Sequence, residues 1–433
     1  MVWLEIIVVL GAIFFGIRMG GIGIGLCGGL GLAVLTIGFG LPIGSPPVDV
    51  ILIIMTVVVA ASALQAAGGM DYLVRLASKF MRKNPKYLNI IAPITTWVMT
   101  IMAGTGFIVF SMLPVIAEIA KDSGIRPSRT LAGSVVASQI AISGSPISAA
   151  MAAMLTIMEG NGITFIVVMS VCLPASFVAA MVAAFIASRQ GCELENDEVY
   201  LDRLQKGLVH KYEEKKGEST TREKFSVVLF IIATIAIVIL AAFPQLRPGF
   251  DIGKPMGTRD IIIICMLSAA CLMVVFCKTS PDSIVLAPTF RSGMSSLAVI
   301  LGIVTLGTTF VDAHMDQIKA IAGDVLSAYP ILLALVLFLT CALLYSQGAT
   351  TPLIIPLAIA LDVPTWAILA SFVAVTGVFV LPTYPTSLAA IEFDSTGSTR
   401  VGKYILNHPF MLPGLGGIIA GVAFGFIIAP MIV

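Results

Sequence analysis

Apolar residues run along this chain in long blocks separated by short polar gaps. The blocks fall at about 3–17, 22–43, 48–67, 88–120, 131–158 and 163–187. A polar stretch rich in both charge signs follows at 188–224, and apolar blocks resume at about 225–243, 261–277, 293–311, 329–361, 365–392 and 409–432. A bilayer-crossing helix needs roughly 20 apolar residues, so the pattern predicts an all-α polytopic membrane protein. Two blocks in each half are too long for one simple crossing, and each is interrupted by Gly, Pro, Ser or Thr. They predict helical hairpins at 88–120 and 329–361 and broken helices at 131–158 and 365–392. The first 17 residues have no basic segment ahead of the apolar run and read as a first span, not a cleaved signal.

The two halves repeat each other. Met70-Asp71 followed by Pro85 matches Met315-Asp316 followed by Pro330 at an offset of 245. Gly106 and Pro114 match Gly348 and Pro356 at 242; Pro146, Ser148 and Ala150 match Pro385, Ser387 and Ala389 at 239. The ordered series predicts a duplicated unit: a first repeat at 1–187, a linker at 188–224 and a second repeat at 225–433. Topology follows from the bias of Lys and Arg toward the cytoplasmic side. If the N-terminus is outside and each hairpin enters and returns on one side, 21 basic residues fall inside and 4 outside. Each half then makes an odd number of net crossings, so the second repeat is inverted relative to the first, both termini lie outside, and 188–224 lies inside. Inverted repeats with broken helices are the plan of secondary transporters that hold substrate near the midplane.

Composition narrows the classes. The chain is 58% apolar and 11% charged, with a mean hydropathy of +1.03, far from the roughly 25% charge of soluble domains. A net charge of +1 argues against a nucleic-acid partner. There is no CxxC pair, and three scattered histidines suggest neither a metal site nor a catalytic one. The reading is therefore a carrier in a lipid bilayer, not an enzyme, with no resident cofactor.

Irregular backbone at membrane depth is tolerated only where it is buried in protein or lines a wet cavity. The four interruptions are thus the candidate substrate site: Gly104, Thr105 and Gly106; Ser143, Gly144, Ser145, Pro146 and Ser148; Gln347, Gly348, Thr350 and Thr351; and Thr383, Tyr384, Pro385, Thr386 and Ser387. Opposed helix N-termini there would bind an anion without a formal positive charge, and two pairs suit a molecule with a carboxylate at each end. Freed carbonyls suit Na⁺ as a coupling ion; a proton is the other candidate. Arg400 follows the fourth interruption closely enough to be a further carboxylate contact. Other polar positions have plainer roles. The glycines at 20–25 are expected to pack helices closely, Asp71 and Asp316 to cap helices, and Glu118, Asp394 and His314 to sit at solvated ends. The alternatives are a carrier for another organic anion, or a cation/proton antiporter.

The same segments carry a resemblance. GIRMGGIGIG at 16–25, MAGTG at 102–106, LPVIAEIA at 113–120, SQIAISGSPISAA at 138–150, LLYSQGATT at 343–351, LPTYPTSLAA at 381–390 and STGSTRVGKYILNHPF at 395–410 resemble the anaerobic four-carbon dicarboxylate (Dcu) carriers of bacterial inner membranes. The resemblance implies exchange of fumarate, malate or aspartate for succinate; in an inner membrane, the sides assigned by the charge bias make the termini periplasmic and the linker cytoplasmic. It also implies kinship with inverted-repeat carriers that are typically homodimers. In these a transport domain bearing the hairpins, here 88–158 and 329–392, moves against a scaffold made of the remaining runs. Phe107 and Pro352 stand where members often carry polar residues.

Overall fold

The computed structural model describes residues 2–19, 21–209, 220–250, 253, 255–320, 324–404 and 406–433, so His210 and Gly20 lie outside the described residues. These residues are mainly helical, and no strand occurs among them. Helices α1 (Val2–Met19), α2 (Gly23–Ala33) and α3 (Val48–Ala66) open the chain. The amphipathic α4 (Gly69–Lys83) buries Met70, Leu73, Val74, Ala77 and Met81 at helical spacing. Its cap is Gly68 in the left-handed region, and Asp71 lies inside the first turn. Asp71 is therefore not the capping residue, and Asp316 likewise lies in a first turn. A carboxylate there still faces the positive end of the helix dipole.

The first hairpin is α5 (Leu88–Ala103) and α6 (Val109–Asp122), and the first broken helix is α7 (Pro127–Ala141) and α8 (Ala149–Gly160). α9 (Phe165–Ser188) completes this half, and a short α10 (Glu198–Gln205) lies in the polar linker. The second half runs α11 (Thr221–Ala242), α12 (Thr258–Cys277), α13 (Pro281–Leu286), α14 (Pro288–Val299) and α15 (Thr305–Ala313), then short α16 (Met315–Ile318) and α17 (Asp324–Ala328). Its hairpin is α18 (Leu332–Leu344) and α19 (Gln347–Ala360). Its broken helix is α20 (Thr365–Ser371), continued by 3₁₀ turns to Phe379 with a kink at Thr376 and Gly377, and α21 (Pro385–Phe393). α22 (Met411–Ile432) ends the chain. The predicted hairpins and broken helices are all present.

The interruptions are narrower than the sequence suggests. In the second half they span Tyr345–Ser346 and 380–384, so Gln347, Gly348, Thr350 and Thr351 already belong to the first turns of α19, and Pro385, Thr386 and Ser387 to the first turn of α21. Proline at the first helical position costs no hydrogen bond and presets the backbone angle, so Pro385 begins a helix. Hydroxyls cap the restarts: Ser148 accepts from the Met151 N–H, Ser346 from Ala349 and Thr105 from Phe107. Ser148→Ala should lower stability by about 0.5–2 kcal/mol, the usual worth of an N-cap. A thermal unfolding scan in detergent would check it, and an unchanged midpoint would exclude a capping role.

Packing exchanges partners between the halves. α8 packs on α19, and α21 on α6. α9 and α22 pack against each other; α9 also lies on α7 and α22 on α20. Glycines make the last crossings possible: a Cβ on Gly417 would lie 2.7 Å from the Ala179 carbonyl oxygen, and one on Gly425 2.7 Å from that of Ala370. A smaller apolar cluster joins α2, α3, α14 and the turn after it. There Gly25 meets Ala298 backbone, so the glycine-rich run in α2 is a packing surface. α9 and α22 thus pack on the broken helices.

The ion pairs between elements respect the predicted sides. Arg75 pairs with Glu223, Arg126 and Arg400 with Asp197, and Arg129 with Glu193, all residues that the charge bias places inside. Arg247 pairs with Glu159, Arg259 with Asp49, and His314 with Glu5, all residues it places outside. His314 is accordingly a partly buried side chain whose Nε2 is hydrogen-bonded to the Glu5 carboxylate, not a solvated one.

Candidate functional site

A cavity of about 100 Å³ lies where the interruptions meet. The apolar cavity that binds benzene is about 150 Å³, so this one is smaller than the space that holds a six-carbon ring. Thr105, Gln139, Tyr345, Ser346, Gln347, Ser296 and Tyr384 supply its polar side chains. Ile54, Phe107, Ile142 and Ile300 supply apolar wall, with Gly104, Gly106 and Gly348 between. Ile54 comes from α3, Ser296 from α14 and Ile300 from the turn after it; the rest come from the hairpins and broken helices. Among the described residues, no Asp, Glu, Lys, Arg or His lines the cavity.

Four helix beginnings contribute to this lining. Gly106 and Phe107 lead into α6, Ala149 and Ala150 begin α8, Gln347 and Gly348 begin α19, and Tyr384 caps α21. The first N–H groups of a helix have no intrahelical acceptor, and the helix dipoles add positive potential at these ends. Four such ends around one small volume can hold negative charge without a charged side chain.

A hydrogen-bond network ties the halves together beneath the cavity. Nε2 of Gln347 donates to the main-chain oxygen of Gln139 at 3.1 Å and to its Oε1 at 3.3 Å. Nε2 of Gln139 donates to Oγ1 of Thr386 at 3.2 Å. The Ser138 hydroxyl donates to the Gly106 carbonyl at 3.1 Å. Tyr345, held at φ 52°, shares a 2.6 Å hydrogen bond with Thr383 and stacks its ring on Tyr384. So α7, α19 and α21 meet through side-chain amides and hydroxyls, not through ion pairs.

Of the residues expected at the site, Gly104, Thr105, Gly106, Gln347, Gly348 and Tyr384 line the cavity, and Thr383 and Thr386 touch lining residues. Ser143, Gly144, Ser145, Pro146, Ser148, Thr350, Thr351, Pro385 and Ser387 do not line it. The hydroxyls of Ser143, Ser145, Ser148, Thr350 and Thr351 instead donate to the carbonyls of Ile140, Ile101, Ile142, Ser346 and Gln347. Ser145 reaches the Ile101 carbonyl near the end of α5, where the break leaves backbone acceptors free, whereas Thr350 and Thr351 make the i−4 back-bonds common for hydroxyls inside a helix. Gln139, Tyr345, Ser346 and Ser296 are lining residues beyond those singled out from the sequence. Gln139 and Tyr345 flank two of the interruptions, the one signal the sequence offered for them.

Arg400 is placed elsewhere. It pairs with Asp197 at 3.1 Å and with the Gly397 carbonyl. With Arg126 and His408 it lines a separate cavity of about 650 Å³. Burial pushes the His408 imidazole below its usual pKa, opposed by the hydrogen bond of its Nε2 to the Val380 carbonyl. Arg400→Ala is expected to leave the transport KM within about twofold, as for loss of an exposed ion pair remote from substrate. A tenfold rise in KM would place Arg400 at the site after all. Asp394 is not a solvated end: it is buried and accepts from the Thr396 and Thr399 N–H groups and the Thr396 and Ser398 hydroxyls. Glu118 is buried and pairs with Lys121.

Comparison with known proteins covers the whole chain. The profile of the family described as anaerobic C4-dicarboxylate membrane transporter matches residues 1–433. The chain is 46% identical over 428 residues to the C4-dicarboxylate transporter DcuA of Wolinella succinogenes and 47% identical over 430 residues to that of Escherichia coli K12, with 99% of each chain covered in both cases. It is 36% identical over 441 residues to the anaerobic C4-dicarboxylate transporter DcuB of Escherichia coli O6:H1, covering 99% of this chain and 98% of the relative. The crystal structure of the Alcanivorax borkumensis YdaH transporter, described as having an unusual topology, is similar in fold at a TM-score of 0.58. It shares 14% sequence identity, over 93% of this chain and 88% of that one.

Proposed function

Because the chain belongs to the anaerobic C4-dicarboxylate membrane transporter family, we propose that it carries C4-dicarboxylates across the bacterial inner membrane by alternating access, with the dianion seated in the cavity between the hairpins. The observation that carries this reading is the convergence of four helix N-termini on one small cavity with no charged lining residue among the described residues. A dianion bound by backbone dipoles and hydroxyls leaves no uncompensated fixed charge when the site is empty. That lowers the cost of moving it through a low-dielectric interior.

The substrates are fumarate, malate, aspartate and succinate, taken up or expelled by exchange or with a coupling Na⁺ or H⁺. The movement is elevator-like: the hairpins and broken helices, together with α9 and α22, slide against a scaffold built on α1–α3 and α11–α15. Two features support this division. The cavity lies between the two groups, with Ile54, Ser296 and Ile300 presented by the scaffold, and α9 and α22 pack on the broken helices. Both termini are periplasmic and the linker cytoplasmic; the sorting of the ion pairs by side supports one consistent topology. The working unit is a homodimer.

Counterflow tests the reading. Proteoliposomes loaded with succinate and given external labelled fumarate should accumulate label transiently above equilibrium. Repeating the assay with imposed Na⁺ and H⁺ gradients separates exchange from ion coupling. Absence of counterflow with any C4-dicarboxylate would refute the assignment.

A further inference from the structure

One group in the cavity does not suit a carboxylate. The main-chain oxygen of Gln139 can only accept, so the Gln347 side-chain atom 3.1 Å from it is the nitrogen. That nitrogen also faces Oε1 of Gln139, which turns the Gln139 nitrogen toward Thr386. One backbone carbonyl therefore orients both amides. The donors used by the pair point into protein, and Oε1 of Gln347 is left without a partner among the described residues. Gln347 is 8% exposed and lines the cavity, and its oxygen is not among the side-chain atoms sealed away from solvent without a partner.

The cavity thus offers two kinds of chemistry. The helix N-termini present N–H donors, which suit carboxylate oxygens. Oε1 of Gln347 presents an acceptor at the beginning of α19, which repels a carboxylate oxygen and attracts a hydroxyl or ammonium hydrogen. An ionised unsubstituted C4-dicarboxylate carries no donor. One substituted at C2 by a hydroxyl or an ammonium does. Resting on the dicarboxylate reading of this site, we propose that Oε1 of Gln347 is the specificity-determining acceptor that reads a donor on C2, so that the site distinguishes 2-hydroxy and 2-amino C4-dicarboxylates from succinate.

The test compares exchange of 2-hydroxysuccinate and succinate by the full-length protein in proteoliposomes. For Gln347→Met, which keeps length and removes the acceptor, the ratio of kcat/KM for 2-hydroxysuccinate to that for succinate should fall at least about fivefold, the scale of one neutral hydrogen bond. An unchanged ratio, with both substrates slowed alike, would overturn the proposal. A second measurement needs no variant: with the native protein, 2-methoxysuccinate keeps the C2 oxygen but loses its hydrogen. It should compete at least about fivefold more weakly than 2-hydroxysuccinate, whereas equal competition by the two would overturn the proposal. These outcomes differ from failure of the underlying reading, in which the native protein exchanges neither succinate nor 2-hydroxysuccinate.

Discussion

Gly104→Ala is expected to cut the initial rate of dicarboxylate counterflow by at least about thirtyfold. Gly104 sits at φ +69° at the tip of the first hairpin, a conformation that costs a residue with a Cβ roughly 1–2 kcal/mol. The added Cβ would also stand 2.8 Å from the Ile147 carbonyl oxygen and 2.9 Å from its side chain, so the hairpin tip must move off the first broken helix. Overpacking of this kind costs a further 1–3 kcal/mol or so, and about 2 kcal/mol spent on binding geometry is already about thirtyfold. Gly124→Ala is the control. Its φ is +70°, but a Cβ there meets nothing within 4 Å, so it carries the backbone strain without the contact and should transport nearly normally. Equal loss in the two variants would show that contact between hairpin tip and broken helix is irrelevant to transport.

Asp197→Ala is expected to be the most destabilising single substitution in the linker. The Asp197 side chain is fully buried and holds Arg126 at 2.7 Å and Arg400 at 3.1 Å. It also accepts from the Val199 and Tyr200 N–H groups as the cap of α10. Removing it strands Arg126, whose side chain is 9% exposed, with the Ser128 hydroxyl and Cys192 as remaining partners. Leaving one member of a buried pair uncompensated costs about 3–5 kcal/mol. The thermal midpoint in detergent should fall by about 5 °C or more. Arg400→Ala, whose side chain is 45% exposed, should shift it far less. Equal shifts would mean that Asp197 contributes no more than its exposed partner does.

These two residues mark different limits of reading a sequence. Gly104 was legible, because a glycine between Ala103 and Thr105, inside an apolar run too long for one crossing, has few roles other than a break. Asp197 was legible only as a polar linker residue ahead of a short amphipathic helix. Its partners lie 71 residues before it and 203 after it, and neither spacing follows a local period. The hydroxyls at the interruptions fall between the two. Their presence was visible, but Ser145 bonds to the Ile101 carbonyl and Ser148 to that of Ile142 across the break. Only the three-dimensional course of the backbone decides whether a hydroxyl faces substrate or its own chain. Gln139 was the converse case: it lies in the 138–150 segment, yet it gains its place only through Gln347, 208 residues away.

The sequence by itself determined the membrane class, the order and type of the helices, the places where they break and a consistent assignment of charged loops to two sides. All of these depend on composition and on local periods, because a bilayer core forces every segment either to satisfy its own backbone or to break where protein shelters it. The tertiary structure alone decided which beginnings of helices share a cavity, which hydroxyls are consumed by freed carbonyls, and that Arg400 is held by Asp197 outside that cavity. Those outcomes depend on distances between residues far apart in sequence, where packing of α8 on α19 and α21 on α6 sets the geometry and no local pattern records it.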